Sequence, residues 1–194
     1  TGEKGESFSI LTALTDTTDG NKDLFATATF NWTEKSYEIT YTPTKADVTL
    51  KAVFTPSHIV HLHVTGGTAE VTDNTLVTKE TGASQFQHVI VADDKTVEVT
   101  LKDTTANGLA PTAYWSDVSE SPENAGTDVS AALRNTGAKT YTYTTQKVKK
   151  PQALNVTFEQ GQTVEVTVNN GKLLNDDGAW NENSGTYTRI VKNN

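Results

Sequence analysis

His61 and His63 stand one residue apart, with His88 downstream, and by type and spacing they are the side chains best suited to chemistry. On a β-strand, residues i and i+2 project to the same face. A third imidazole from a neighbouring strand would complete an open Zn²⁺ site of the kind that activates water. The intervening residues argue for another arrangement. Val60, Leu62 and Val64 form the apolar set of that strand. They take the inward face and turn His61 and His63 outward, as solvated surface.

A second candidate chemistry is Ca²⁺ binding, which needs about six to eight oxygen ligands. The acidic and amide clusters are Asp16, Asp19, Asn21 and Asp23; Asp47, Asp93 and Asp94; and the stretch after Leu174. From that last stretch the expected Ca²⁺ ligands are Asp176, Asp177, Asn181 and Glu182, beside Asn175. None of the clusters fits the register of an EF-hand loop, and Asx turns account for each without a metal. A third chemistry is stacking of aromatic rings on sugar faces. Trp180 lies in a polar loop with hydrogen-bonding neighbours, and Tyr114 and Trp115 precede the polar stretch 116–138. These three are the expected ligand-binding residues, with burial in a core as the competing role. Trp32 and Trp115 are expected to anchor cores.

Nucleophilic catalysis finds no support. The chain has no Cys and no G-x-S-x-G motif. Paired carboxylates for glycoside hydrolysis need only meet in space, but small repeated domains rarely supply a deep cleft. No enzymatic activity is expected. With 16 basic and 24 acidic residues the net charge is −8, and the basic residues cluster only at Lys147-Val148-Lys149-Lys150. Phosphate backbones need a basic face, so nucleic acid is not an expected partner. No apolar run approaches the roughly 18 residues of a membrane span, so no membrane insertion is expected. Thr1 in place of Met reads as a fragment or processed form.

The elements that would position these residues are short strands. Alternating apolar residues mark Glu6–Leu14, Leu24–Trp32, Ser36–Thr42, Val48–Phe54, Ile59–Thr65 and Gln85–Val91 in the first half. Thr96–Leu101, Thr112–Trp115, Thr140–Thr145, Ala153–Phe158, Thr163–Val168 and Thr186–Val191 follow in the second. Gly, Asn, Asp and Pro separate them as turn signals. Thr55-Pro56-Ser57 reads as a short connection, 116–138 as a long loop, and Asp128–Arg134 as one or two helical turns within it.

One stretch occurs twice. Residues 37–64 and 141–168 align without a gap at an offset of 104. Tyr37/Tyr141, Thr40/Thr144, Lys45/Lys149, Leu50/Leu154, Phe54/Phe158, Val60/Val164 and Val64/Val168 are identical. Chance would give about two identities in so Thr- and Val-rich a chain, so the repeat is real. It divides the chain into two units, 1–93 and 94–194. The expected fold class is all-β, two tandem immunoglobulin-like β-sandwich domains. In the second copy, the positions of His61 and His63 hold Glu165 and Thr167, and Arg189 is matched with His88. Positions that change chemistry between copies behave as surface.

The segment Thr40–Phe54, with its phrase Ala46-Asp47-Val48-Thr49-Leu50-Lys51-Ala52-Val53-Phe54, resembles the closing strands of divergent internalin-type B repeats of bacterial surface proteins. Leu154–Phe158 resembles the same phrase, and Ile59–Gly67 resembles the strand and Gly-Gly turn that open a following repeat. The resemblance covers about a quarter of the chain and brings no catalytic residue. It implies an extracellular segment of a bacterial cell surface, in a cell wall or surface layer. Its expected partners are neighbouring repeats of the same protein, with cell-wall polysaccharide, host glycan or host protein as further ones. The expected function is a non-catalytic spacer, and the alternative is an adhesin module using the Trp180 turn and the 116–138 loop.

Overall fold

The computed structural model describes residues 8–72, 77–80, 86–106, 108–117, 126–171, 173 and 180–192. The fold is all-β. Its helical elements among the described residues are two short 3₁₀ turns.

The first part of the chain holds β1 (Phe8–Asp16), β2 (Lys22–Asp23), a 3₁₀ turn (Phe25–Thr27), β3 (Ala28–Asn31), β4 (Ser36–Ile39) and β5 (Leu50–Thr65). The middle holds β6 (Gly67–Glu70), β7 (Val77–Lys79), β8 (Phe86–Ala92), β9 (Glu98–Asp103), β10 (Thr112–Asp117) and β11 (Thr127–Asp128). After a 3₁₀ turn (Ser130–Ala132) come β12 (Arg134–Gly137), β13 (Thr140–Thr144) and β14 (Gln152–Thr157). The last part holds β15 (Gly161–Thr167), β16 (Asn181–Asn183) and β17 (Thr186–Lys192).

Strand β5 serves two packing units. Its first half pairs antiparallel with β1, from Asp16↔Leu50 to Phe8↔Ser57. Its second half pairs antiparallel with β8 over 57–63 and parallel with β14 from Val60↔Gln152 to Thr65↔Thr157. The expected break at Thr55-Pro56-Ser57 is absent. Proline lacks the N–H a central ladder needs and is tolerated where no partner calls for one. Pro56 sits where the strand passes from β1 to β8, and its carbonyl accepts from Asp93 N–H at 2.8 Å.

Residues 57–158 form a complete unit. One sheet runs β11-β10-β14-β5, with β8 and β7 on the far side of β5; the other runs β12-β13-β9-β6. Val60, Leu62, Val64, Val89, Val91, Trp115, Leu154 and Val156 from the first sheet share one core with Ala69, Val99, Leu101 and Tyr143 from the second. Alternate residues of both sheets thus meet face to face, as the layers of a β-sandwich do. Gly66 closes the link from β5 to β6. It has φ +71°, and a Cβ there would lie 2.3 Å from the Phe158 carbonyl oxygen, so only glycine fits.

Strands from both sides of the boundary expected at 93/94 pair with one another. Asp93 and Asp94 are the turn between β8 and β9, and strands from both sides of that boundary share one sheet and one core. A repeat fixes the period of a chain but not its phase. The offset of 104 holds from the first half of β5 to β14 and from its second half to β15, while the other strands shift by a few residues. The flanks resemble parts of the central sheets. Residues 8–56 carry counterparts of β10 to β14, since β1 pairs with β2 and β5 as β10 pairs with β11 and β14. Thr15↔Lys51 corresponds to Tyr114↔Asn155. The turn at Phe25–Thr27 corresponds to that at Ser130–Ala132, each following a buried residue, Leu24 or Val129, with φ −117°. Residues 161–192 carry counterparts of β5 and β8: Gln162↔Val191 matches His58↔Val91.

Two smaller expectations change with it. The strand expected over Leu24–Trp32 is a 3₁₀ turn followed by β3. Trp32 anchors no unit core. It packs with Phe8 and Phe30 against Ile10, Ile90 and Ala92, where the first part leans on β8, and its indole N–H donates to the Lys79 carbonyl at 3.0 Å. Of the long loop expected over 116–138, residues 126–137 form β11, the 3₁₀ turn and β12.

Candidate functional site

Strand pairing brings the three histidines together. His61 is opposite His88 on β8, with ring centroids 4.7 Å apart, and the His61 and His63 rings lie 6.2 Å apart. They occupy the outer face of the sheet, as expected, but that face is only partly solvated. His61 is 5% exposed and Ile59 beside it 2%. Burial and the neighbouring charge of His88 both push His63 below its ordinary value. Glu80 has a carboxylate oxygen 3.9 Å from His88 Nε2. Among the described residues no three metal-ligating side chains converge. The second-copy partner of His88 is Thr188 rather than Arg189, since His61↔His88 corresponds to Glu165↔Thr188.

The acidic clusters are engaged by protein donors. Asp16 Oδ1 accepts from the Thr18 and Asp19 N–H groups at 2.8 and 3.2 Å, and Oδ2 accepts from the Tyr41 hydroxyl at 2.6 Å. The Tyr41 bond holds Asp16 below the usual carboxylate range, and in return Tyr41 is pushed up to about 12. Asp19 accepts from Thr44 Oγ1 at 3.0 Å, and Asp23 from the Phe25 N–H at 2.8 Å. Asp93 meets His58 Nε2 at 2.8 Å. Asp94 is lowered by hydrogen bonding and charge from Lys147, at 2.8 Å, and Lys149, at 3.4 Å. Asp47 is exposed. Asp176 and Asp177 lie outside the described residues. Asn181 and Glu182 are exposed on β16 and paired to β17.

The three aromatic candidates do not form one face. Trp115 points into the central core, 5% exposed, with its ring 6.3 Å from Tyr143. Its indole N–H is buried without a hydrogen-bond partner. Tyr114, next on β10, faces the other way and is half-buried. Trp180 lies in the bend just before β16, half-buried, with the Arg189 guanidinium 6.0 Å from its ring centroid. At the edge of Trp115 an open groove of roughly 570 Å³ is lined by Ser116, Asp117, Thr127, Gln146, Lys150 and Gln152. Lys150 is ion-paired with Asp117 across it.

Sequence reasoning missed the most prominent surface. Leu50, Phe54 and Ile39 are 41, 53 and 38% exposed, whereas their counterparts Leu154, Phe158 and Tyr143 are 1, 3 and 3% exposed in the central unit. At the other end Val164 is 38% exposed against 0% for Val60. Backbone edges repeat the pattern. Among the described residues β5 over 50–56 pairs only with β1, and β15 pairs only with β17. Their counterparts β14 and the second half of β5 pair with each other.

Comparison with known proteins gives no match, whether with family models, curated sequences or solved structures.

Proposed function

We propose that this chain is a non-catalytic structural segment of an array of like β-sandwich units, each of immunoglobulin-like type, on a bacterial cell surface. The observation that carries this reading is the continuity of β5. A strand of 16 residues, roughly 53 Å long at about 3.3 Å per residue, belongs to one unit at its start and to the next at its end. No linker separates the units, so bending at the joint would break a ladder. That is the construction of a spacer or lattice element. The surroundings of the candidate sites agree with it: the carboxylates hold turns together, and the histidines are packed against the sheet. Placement in a cell wall or surface layer rests on the likeness of Thr40–Phe54 and Leu154–Phe158 to closing strands of internalin-type B repeats. Its neighbours there would be further repeats of the same protein.

Small-angle scattering of the dilute monomer tests the stiffness. The expected profile is that of one elongated form, and inserting Gly-Ser-Gly-Ser between Pro56 and Ser57 should broaden it. A parent chain as flexible as the insertion variant would overturn the reading.

A second reading, an adhesin module for glycan or protein, is favoured by the groove beside Trp115, with its unpartnered indole N–H and polar rim. Trp180, in the bend before β16, would add a second contact. A glycan array probed with the chain and its Trp180→Ala variant tests it. Glycans retained by the first and lost by the second support binding through Trp180, and no retained glycan removes glycan binding and leaves the spacer reading ahead.

A further inference from the structure

The outer face of the central sheet carries two rows of side chains that the core does not use. Successive residues of a strand alternate between faces, and residues paired across strands share one. Strands β10, β14 and β5 turn Ala113 and Trp115, Leu154 and Val156, and Leu62 and Val64 into the core. The residues between and beside them stand outward. Tyr114 is opposite Asn155, and Asn155 opposite His63. In the next row Thr112 is opposite Thr157, and Thr157 opposite Thr65. Asp128 on β11 extends the first row beyond Tyr114. All of these residues are half-buried or exposed. From Tyr114 to His63 the first row spans about 10 Å, and the two rows lie about 7 Å apart. We propose that this face is a binding site for neutral glycan.

A sugar ring presents hydroxyls at its edge and C–H groups on its faces. Tyr114 offers an aromatic ring to the C–H groups. The Asn155 amide, the threonine hydroxyls and the neutral His63 imidazole each both donate and accept, as sugar hydroxyls do. Asn is depleted in strands, and Asn155 donates to Ser116 Oγ at 3.5 Å, the limit of a hydrogen bond. Strands β11, β10 and β14 and the second half of β5 hold no Lys or Arg. The Ser130 hydroxyl and N–H hold Asp128 below the usual carboxylate range, so it is an anion at neutral pH. His63 lies below its ordinary value and is uncharged there. Glu80, beside His88, adds a second acid. Phosphate, sulfate and uronate groups would meet these charges unfavourably, whereas neutral hydroxyls would not. The repeat supplies an internal control. Thr15, Lys51 and Asp23 stand where Tyr114, Asn155 and Asp128 do, and Thr167 where His63 does. The strands recur, but the ring, the amide and the imidazole belong to the central unit.

This inference rests on the second reading, glycan binding, and gives it a face apart from both the groove beside Trp115 and the Trp180 bend. The chain is applied to an array of neutral and anionic glycans beside its Tyr114→Leu, Asn155→Ala, Lys51→Ala and Trp180→Ala variants. Leucine keeps apolar bulk at 114 without the ring face, and circular dichroism checks that each variant keeps its fold. The parent, Lys51→Ala and Trp180→Ala should retain neutral glycans. Titration with a retained oligosaccharide should show affinity roughly tenfold weaker or more for Tyr114→Leu and for Asn155→Ala, the loss expected on truncating a binding anchor. If Tyr114→Leu loses its fold, Asn155→Ala decides alone. Unchanged affinity in either folded variant, or retention confined to anionic glycans, overturns this face and leaves glycan binding elsewhere on the chain. No retained glycan overturns both.

Discussion

Asp16 shows what the acidic residues of this chain do. Its side chain ends β1, is 1% exposed, and receives two backbone N–H groups and the Tyr41 hydroxyl. A carboxylate so supplied with donors is stable as an anion without a cation. Asp103 repeats the device at the end of β9, accepting from the Thr105 N–H and hydroxyl at 2.7 and 2.6 Å. The consequence is a pH dependence with two limbs. Asp16 titrates below its usual value, so its contribution to stability is present at neutral pH and is lost as pH falls from about 4 through the depressed value. Tyr41 is raised to about 12, so its contribution is whole below the ordinary value near 10 and is lost as pH rises toward 12. The Tyr41→Phe variant should therefore melt below the parent at pH 7, with a gap that narrows at both extremes. Melting curves at intervals from pH 2 to pH 12 check it; a constant gap would show that the bond is not linked to either titration.

At the scale of elements, alternation located the strands but not their joins. Most were legible because apolar and polar residues alternate, as in Thr140–Thr144 and Gln152–Thr157. Leu24–Trp32 misled because Ala26, Ala28, Phe30 and Trp32 also alternate. There a 3₁₀ turn forms behind Asp23, whose carboxylate takes the Phe25 N–H, as Asp128 takes that of Ser130 in the second copy. A two-residue period sees side chains and is blind to such a side-chain-to-backbone bond. Pro56 misled in the opposite sense. Proline is a turn signal on average, and only the hand-over from β1 to β8 frees it from donating. The histidines were partly legible. Alternation put them on the outer face, but whether an outer face meets water depends on neighbours that no local pattern encodes. Trp115 was legible as a core residue for a similar reason: it lies in phase with Ala113 on β10, and both are buried.

For the whole molecule, the repeat was the most informative signal, and its phase was the part it withheld. Identity between copies marked Leu50/Leu154 and Phe54/Phe158 as scaffold, with the implication that both members are buried. Burial is a property of the completed unit rather than of the residue. Leu154 has β5 beside it and β9 across from it; Leu50 has β1 on one side and, among the described residues, no strand on the other. The same side chain at the same position of the repeat should therefore differ in worth. Truncating a buried Leu to Ala costs about 2–5 kcal/mol, through lost transfer energy and the cavity left behind. An exposed one changes stability by about 0.5 kcal/mol or less. Leu154→Ala should lower the urea midpoint strongly, and Leu50→Ala should barely move it, when both are measured on dilute protein. Equal costs for the two variants in dilute solution would mean that the first part of the chain has a closed core of its own. The array would then be a string of finished units rather than one in which each unit is completed by the next.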